Sequence, residues 1–115
     1  MVTLFDGLEH AGGTVNGQLT VSENIADAGG LSCALEVAKS LPDVNLEEFF
    51  TNWATIWRMK ATPQIEQLFL TLDVHAPNKL RANVQLQVLD DFYEVFSINE
   101  DDGMYLPENE RIKIW

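Results

Sequence analysis

The stretch Glu23-Asn24-Ile25-Ala26-Asp27-Ala28-Gly29-Gly30-Leu31 decides how this chain is read. Its two carboxylates stand four residues apart, which on a helix puts them one turn apart on one face. A glutamate so placed can ligate a hard or borderline metal through oxygen, and an aspartate one turn on can accept an N–H from a neighbouring ligand. The same residues allow a plainer reading. Thr20-Val21-Ser22-Glu23 has the pattern of a capping box, in which a helix-opening threonine and the glutamate three residues later satisfy each other's backbone N–H groups, and acidic residues suit any first helical turn. Spacing leaves both readings open. The rest of a metal site is not in the chain, which has no His-Glu-x-x-His segment and only two histidines, His10 and His75.

From Glu23 the pattern predicts a helix to about Ser40, with Ala26, Gly30, Ala34 and Ala38 at spacings of four forming a smooth stripe. Glycine inside a helix costs about 1 kcal/mol relative to alanine, so Gly29-Gly30 predicts a close approach. The approaching element is either another helix of this chain or one outside it. Pro42 ends the helix, and Asn45-Leu46-Glu47-Glu48 opens the next. There Phe49, Phe50, Trp53, Ile56 and Trp57 recur at helical spacing and read as core. Thr62-Pro63 starts a further helix through Ile65, Leu68, Phe69 and Leu72, since proline suits a first turn. Pro77 disfavours helical geometry at Ala76, so residues 73–77 should be a connector. Short helices are expected over 78–86 and 90–97, the second with Phe92, Val95 and Phe96 inward, before an acidic turn at 99–103 and an extended tail. That turn resembles a calcium loop only superficially: with Gly103 set on the loop glycine, Ile98 and Asn109 fall where acidic ligands belong. Residues 1–19 carry most of the glycine, with Gly12-Gly13 and Asn16-Gly17 as turn signals. They read as a loosely ordered lead segment anchored by Phe5 and Leu8, and 20–115 as the helical body. The fold class is mainly α.

A second chemical cluster is Asp73, His75 and Arg81. In an extended stretch residues two apart point the same way, so Asp73 can bond one ring nitrogen of His75 and leave the other to donate. The plainer alternatives are a surface or capping histidine, and an arginine that is a surface charge or a carboxylate partner.

Composition narrows the function class. The formal net charge of −11, from 18 acidic and 7 basic residues, argues against nucleic acid, which requires a basic surface. No apolar run reaches a membrane-spanning length. At 115 residues the chain is one domain at most, and short for an enzyme that must enclose a substrate. The single Cys33 precludes an intrachain disulfide and reads as a small core residue.

Along its length the chain resembles the neprilysin-like zinc metallopeptidases, family M13, and above all their bacterial endopeptidase O branch. Asn16-Gly17-Gln18-Leu19-Thr20 leading into Glu23-Asn24-Ile25-Ala26-Asp27 and Gly29-Gly30-Leu31 resembles the family's third-ligand segment. The likeness continues through Phe49-Phe50, Trp53-Ala54 and Trp57-Arg58, through Asp73-Val74-His75-Ala76-Pro77 with Arg81, and through Met104-Tyr105 to Arg111-Ile112-Lys113-Ile114-Trp115.

The resemblance implies the helical C-terminal subdomain of a thermolysin-like (gluzincin) peptidase, from a much longer polypeptide that cuts oligopeptides. Glu23 matches the glutamate that binds zinc, and Asp27 the carboxylate that orients a histidine ligand. His75, oriented by Asp73, matches the donor to the developing oxyanion, and Arg81 the group that binds a substrate carbonyl. Zinc would belong to the full-length enzyme rather than to this piece, because the two histidine ligands and the general base lie in the missing His-Glu-x-x-His part. The partner of the smooth stripe would be the helix bearing those ligands; without it, self-association is expected. Cell-surface members carry a cysteine where this chain has Ile112, which points to a bacterial, cytoplasmic parent. His10 matches nothing in the family and is expected in solvent. The alternative is a non-catalytic acidic helical module that binds proteins.

Overall fold

The computed structural model describes residues 1–114, and Trp115 lies outside the described residues. The order is α1 (Val2–Phe5), β1 (Glu9–His10), β2 (Gly13–Thr14), α2 (Gly17–Lys39), α3 (Leu46–Ile56), α4 (Pro63–Leu72), α5 (Asn78–Leu86) and α6 (Asp90–Phe96), then a 3-10 turn at Glu108–Glu110. The mainly helical class holds; the strands are one short antiparallel hairpin pairing Glu9 with Thr14 and His10 with Gly13.

Helix α2 begins before Thr20, so Thr20-Val21-Ser22-Glu23 is not a capping box. Asn16 is the cap, its side-chain oxygen accepting from the backbone N–H of Gln18 and of Leu19 at 3.0 Å. Thr20 is buried inside the helix, where its hydroxyl accepts from the Asn24 amide at 3.0 Å. The early start has a second cause: a Cβ on Gly17 would run into the Val2 carbonyl oxygen and Asp6, so glycine alone lets α1 lie against the end of α2. Asp6 fastens the contact by accepting the Gly17 N–H at 2.9 Å.

Two apolar clusters form the core. Leu31 and Leu35 of α2 meet Phe50 of α3, Leu86 of α5, and Phe92 and Tyr93 of α6. Phe50 and Phe92 cross edge to face with centroids 5.7 Å apart, an arrangement aromatic rings favour. The second cluster joins Phe5, Val15, Ala76 and Val84. Where a loosely ordered lead was expected, residues 1–19 therefore supply α1, the hairpin and a fully enclosed Phe5. Phe5 is the anchor expected of this segment, but the turn-forming glycines masked the order around it, and the 19/20 division falls inside α2.

Other expectations need correction at the level of exposure. In α3 Phe50 is buried and Trp53 and Trp57 half-buried, but Ile56 is 64% exposed. Helix α4 forms where expected, capped by Thr62, yet Ile65, Leu68, Phe69 and Leu72 are all exposed. Phe96 is exposed at the end of α6, where Ser97 turns left-handed at φ 53°. Cys33 is exposed rather than core, because Leu31 and Leu35 set the inward face of α2 and Cys33 falls on the other. Among the described residues no helix is long and apolar enough to cross a membrane.

Candidate functional site

Helix α2 carries Glu23 and Asp27 one turn apart, the connector after α4 carries Asp73 and His75, and the second turn of α5 carries Arg81. Packing of α5 against α2 turns the two separate sequence clusters into one. Arg81 reaches across 54 residues of sequence to grip Asp27 with two parallel bonds, Nε to Oδ2 at 2.7 Å and Nη2 to Oδ1 at 2.8 Å. Side-chain exposure is 13% for Arg81 and 12% for Asp27, so this is a bidentate pair largely withdrawn from water. The guanidinium also lies over the Trp57 ring, 3.7 Å from its centroid.

Asp73 holds His75 at two points. Its Oδ1 accepts the His75 backbone N–H at 2.9 Å and meets ring Nδ1 at 2.7 Å. Partial burial opposes ionisation of Asp73, but the backbone and ring hydrogen bonds from His75, with the charges of His75 and Arg81, together hold its carboxyl below the usual carboxylate value. An ionised Asp73 on Nδ1 fixes the ring and directs Nε2 outward. In the neutral ring that nitrogen accepts; it donates in the imidazolium. It points at α2, where Glu23 Oε2 lies 3.4 Å away. Beside His75 a cleft of about 320 Å³ opens, walled in part by Trp57, Met59, Phe69 and Ala82.

Glu23, Asp27, Asp73, His75 and Arg81 are thus brought together. His10 is not in open solvent: its ring is half-buried, with Nε2 3.7 Å from Glu66 Oε2 of α4, and it lines the same cleft as Asp73 and His75. Trp57 packs on Arg81, and Gln85, one turn after Arg81, bonds the Asn24 carbonyl of α2; sequence reading singled out neither contact. Trp57 read as core because its neighbours are aromatic, and Gln85 carries no signal beyond lying one turn after Arg81.

Glu23 has the chemistry of a zinc ligand, a carboxylate 40% exposed on the face shared with His75. It fits one position of a zinc site. Among the described residues no group of three or more His, Cys, Asp or Glu side chains is placed to hold a metal ion, so the remaining ligands would come from elsewhere.

The "Neutral endopeptidase" of Lactococcus lactis subsp. lactis (strain IL1403) is 53% identical over 115 residues, which are 100% of this chain and 18% of that protein. The "Neutral endopeptidase" of Lactobacillus helveticus is 43% identical over the same 115 residues, with the same coverage. In structure, the chain superposes on the crystal structure of PEPO from Lactobacillus rhamnosis HN001 (DR20) with a TM-score of 0.94 and 42% identity, over 100% of this chain and 18% of that one. The chain thus spans under a fifth of the length of these relatives. The model of Peptidase family M13 matches residues 1–112, and with Glu23, Asp27, His75 and Arg81 drawn onto one face, the chain belongs to peptidase family M13.

Proposed function

We propose that this chain is the C-terminal part of the catalytic domain of a zinc endopeptidase that hydrolyses oligopeptides. Glu23 supplies one carboxylate ligand. A zinc ion held there would supply Lewis-acid chemistry, polarising the scissile carbonyl and lowering the pKa of water. Asp27 orients a histidine ligand contributed from outside the chain; each of its oxygens has two lone pairs, so the grip of Arg81 leaves capacity to accept that N–H. Arg81 binds a substrate carbonyl through the guanidinium N–H groups that Asp27 does not use. His75, oriented by Asp73, donates in its imidazolium form from Nε2 to the oxygen that gains negative charge as the carbonyl is attacked.

The observation that carries the reading is the convergence of Glu23, Asp27, His75 and Arg81 on one face from two stretches of sequence, Asp27 and Arg81 lying 54 residues apart. The test is hydrolysis of an oligopeptide by the full-length polypeptide, abolished by a chelator and restored by zinc. Activity indifferent to chelation, or none in a folded protein of one zinc per chain, would refute it.

A further inference from the structure

Helices α2 and α5 are linked twice. The first link is the Arg81–Asp27 pair; the second is Gln85, one turn further along α5, whose Nε2 donates to the backbone carbonyl of Asn24 at 2.9 Å. Asn24 precedes Asp27 on α2, so the two links run in opposite senses along the two helices. Gln85 and Asn24 are both 0% exposed. The second link is also imperfect: the side-chain carbonyl oxygens of Gln85 and Asn24 are buried without a partner among the described residues. Leucine at position 85 would bring no unpaired polar atom of its own, leaving only the Asn24 oxygen. A buried polar contact kept on such terms is suited to specifying one arrangement rather than to stabilising it, because any slip of α5 along α2 would strand the whole amide. One turn of slip is about 5.4 Å, enough to part Arg81 from Asp27.

We infer that Gln85 is a positioning residue, setting the register of α5 on α2 so that Arg81 meets Asp27 and presents its remaining N–H groups to substrate. This rests on the proposed peptidase function. The experiment is steady-state kinetics of the full-length enzyme carrying Gln85→Met, which keeps length but removes the donor, alone and with Arg81→Ala. Gln85→Met should raise KM about 10-fold, the lower end of what losing a supporting hydrogen bond costs a site, with zinc content unchanged. In the Arg81→Ala background it should change KM less than twofold, since it acts through Arg81. An unchanged KM in the single variant, or an equal rise in both backgrounds, would overturn the inference. If Gln85→Met does not fold, Gln85→Leu, which also removes the donor and leaves an apolar side chain in the buried position, carries the same expectation. A wild-type enzyme without zinc-dependent hydrolysis defeats the peptidase reading and this inference together. An active wild type indifferent to Gln85 defeats only the inference.

Discussion

His75 is held by Asp73, and in the proposed enzyme it meets substrate rather than metal, so its replacement should separate chemistry from metal binding. His75→Ala is expected to keep zinc and lower kcat by about two to three orders of magnitude, as loss of an oxyanion donor does. Arg81→Ala should mainly raise KM if it binds substrate and transition state alike; it also frees a largely buried Asp27, so some loss of stability should accompany it. Asp73→Asn removes the charge that steers His75 and should fall between these. Asp73 has a stability signature too. Its carboxyl is held below the ordinary value, so its contribution is complete above the unfolded-state pKa of about 3.9 and disappears as pH falls through the lower folded value. Denaturant midpoints measured from pH 6 downward should therefore fall less steeply in Asp73→Asn than in the wild type. Parallel curves would mean that Asp73 gains nothing from His75 and Arg81 on folding.

Helix α2 presents opposite faces to two environments. Leu31 and Leu35 are buried, whereas Ala26, Gly30 and Ala34 are exposed, and a Cβ on Gly30 would meet nothing within 4 Å. The close approach signalled by Gly29-Gly30 therefore has no counterpart at Gly30 among the described residues. Helix α4 repeats the pattern, with Leu68 and Leu72 exposed. Periodicity made every long helix legible because 3.6-residue spacing is a local property, but it cannot tell which apolar face has a partner. It also favoured Thr20 over Asn16 as the cap, because the close fit of α1 on Gly17 is a tertiary contact. The site was legible as residue types; its convergence was not, since the Arg81–Asp27 and Gln85–Asn24 contacts span 54 and 61 residues. Exposed apolar faces of this extent drive association. The 115-residue chain alone should grow in apparent mass with concentration by light scattering, and Leu68→Glu with Leu72→Glu should reduce that growth; a concentration-independent monomer would count against it. A methyl group at Gly17 must displace backbone of α1, so Gly17→Ala should destabilise by about 1–3 kcal/mol in chemical unfolding.

At the scale of the whole molecule, the chain covers 18% of its neutral endopeptidase relatives, and under the proposed function it would bring one carboxylate to a site that needs three protein ligands. In the proposed enzyme, Glu23 and His75 stand 3.4 Å apart yet have different duties, one to the metal and one to the substrate. The most direct test of that division is zinc stoichiometry, measured beside peptide hydrolysis, in full-length protein carrying Glu23→Ala or His75→Ala. Glu23→Ala should lose zinc and activity together, while His75→Ala keeps one zinc per chain and loses turnover. A Glu23→Ala protein that retains both its zinc and its activity would contradict the assignment of Glu23 as the metal ligand.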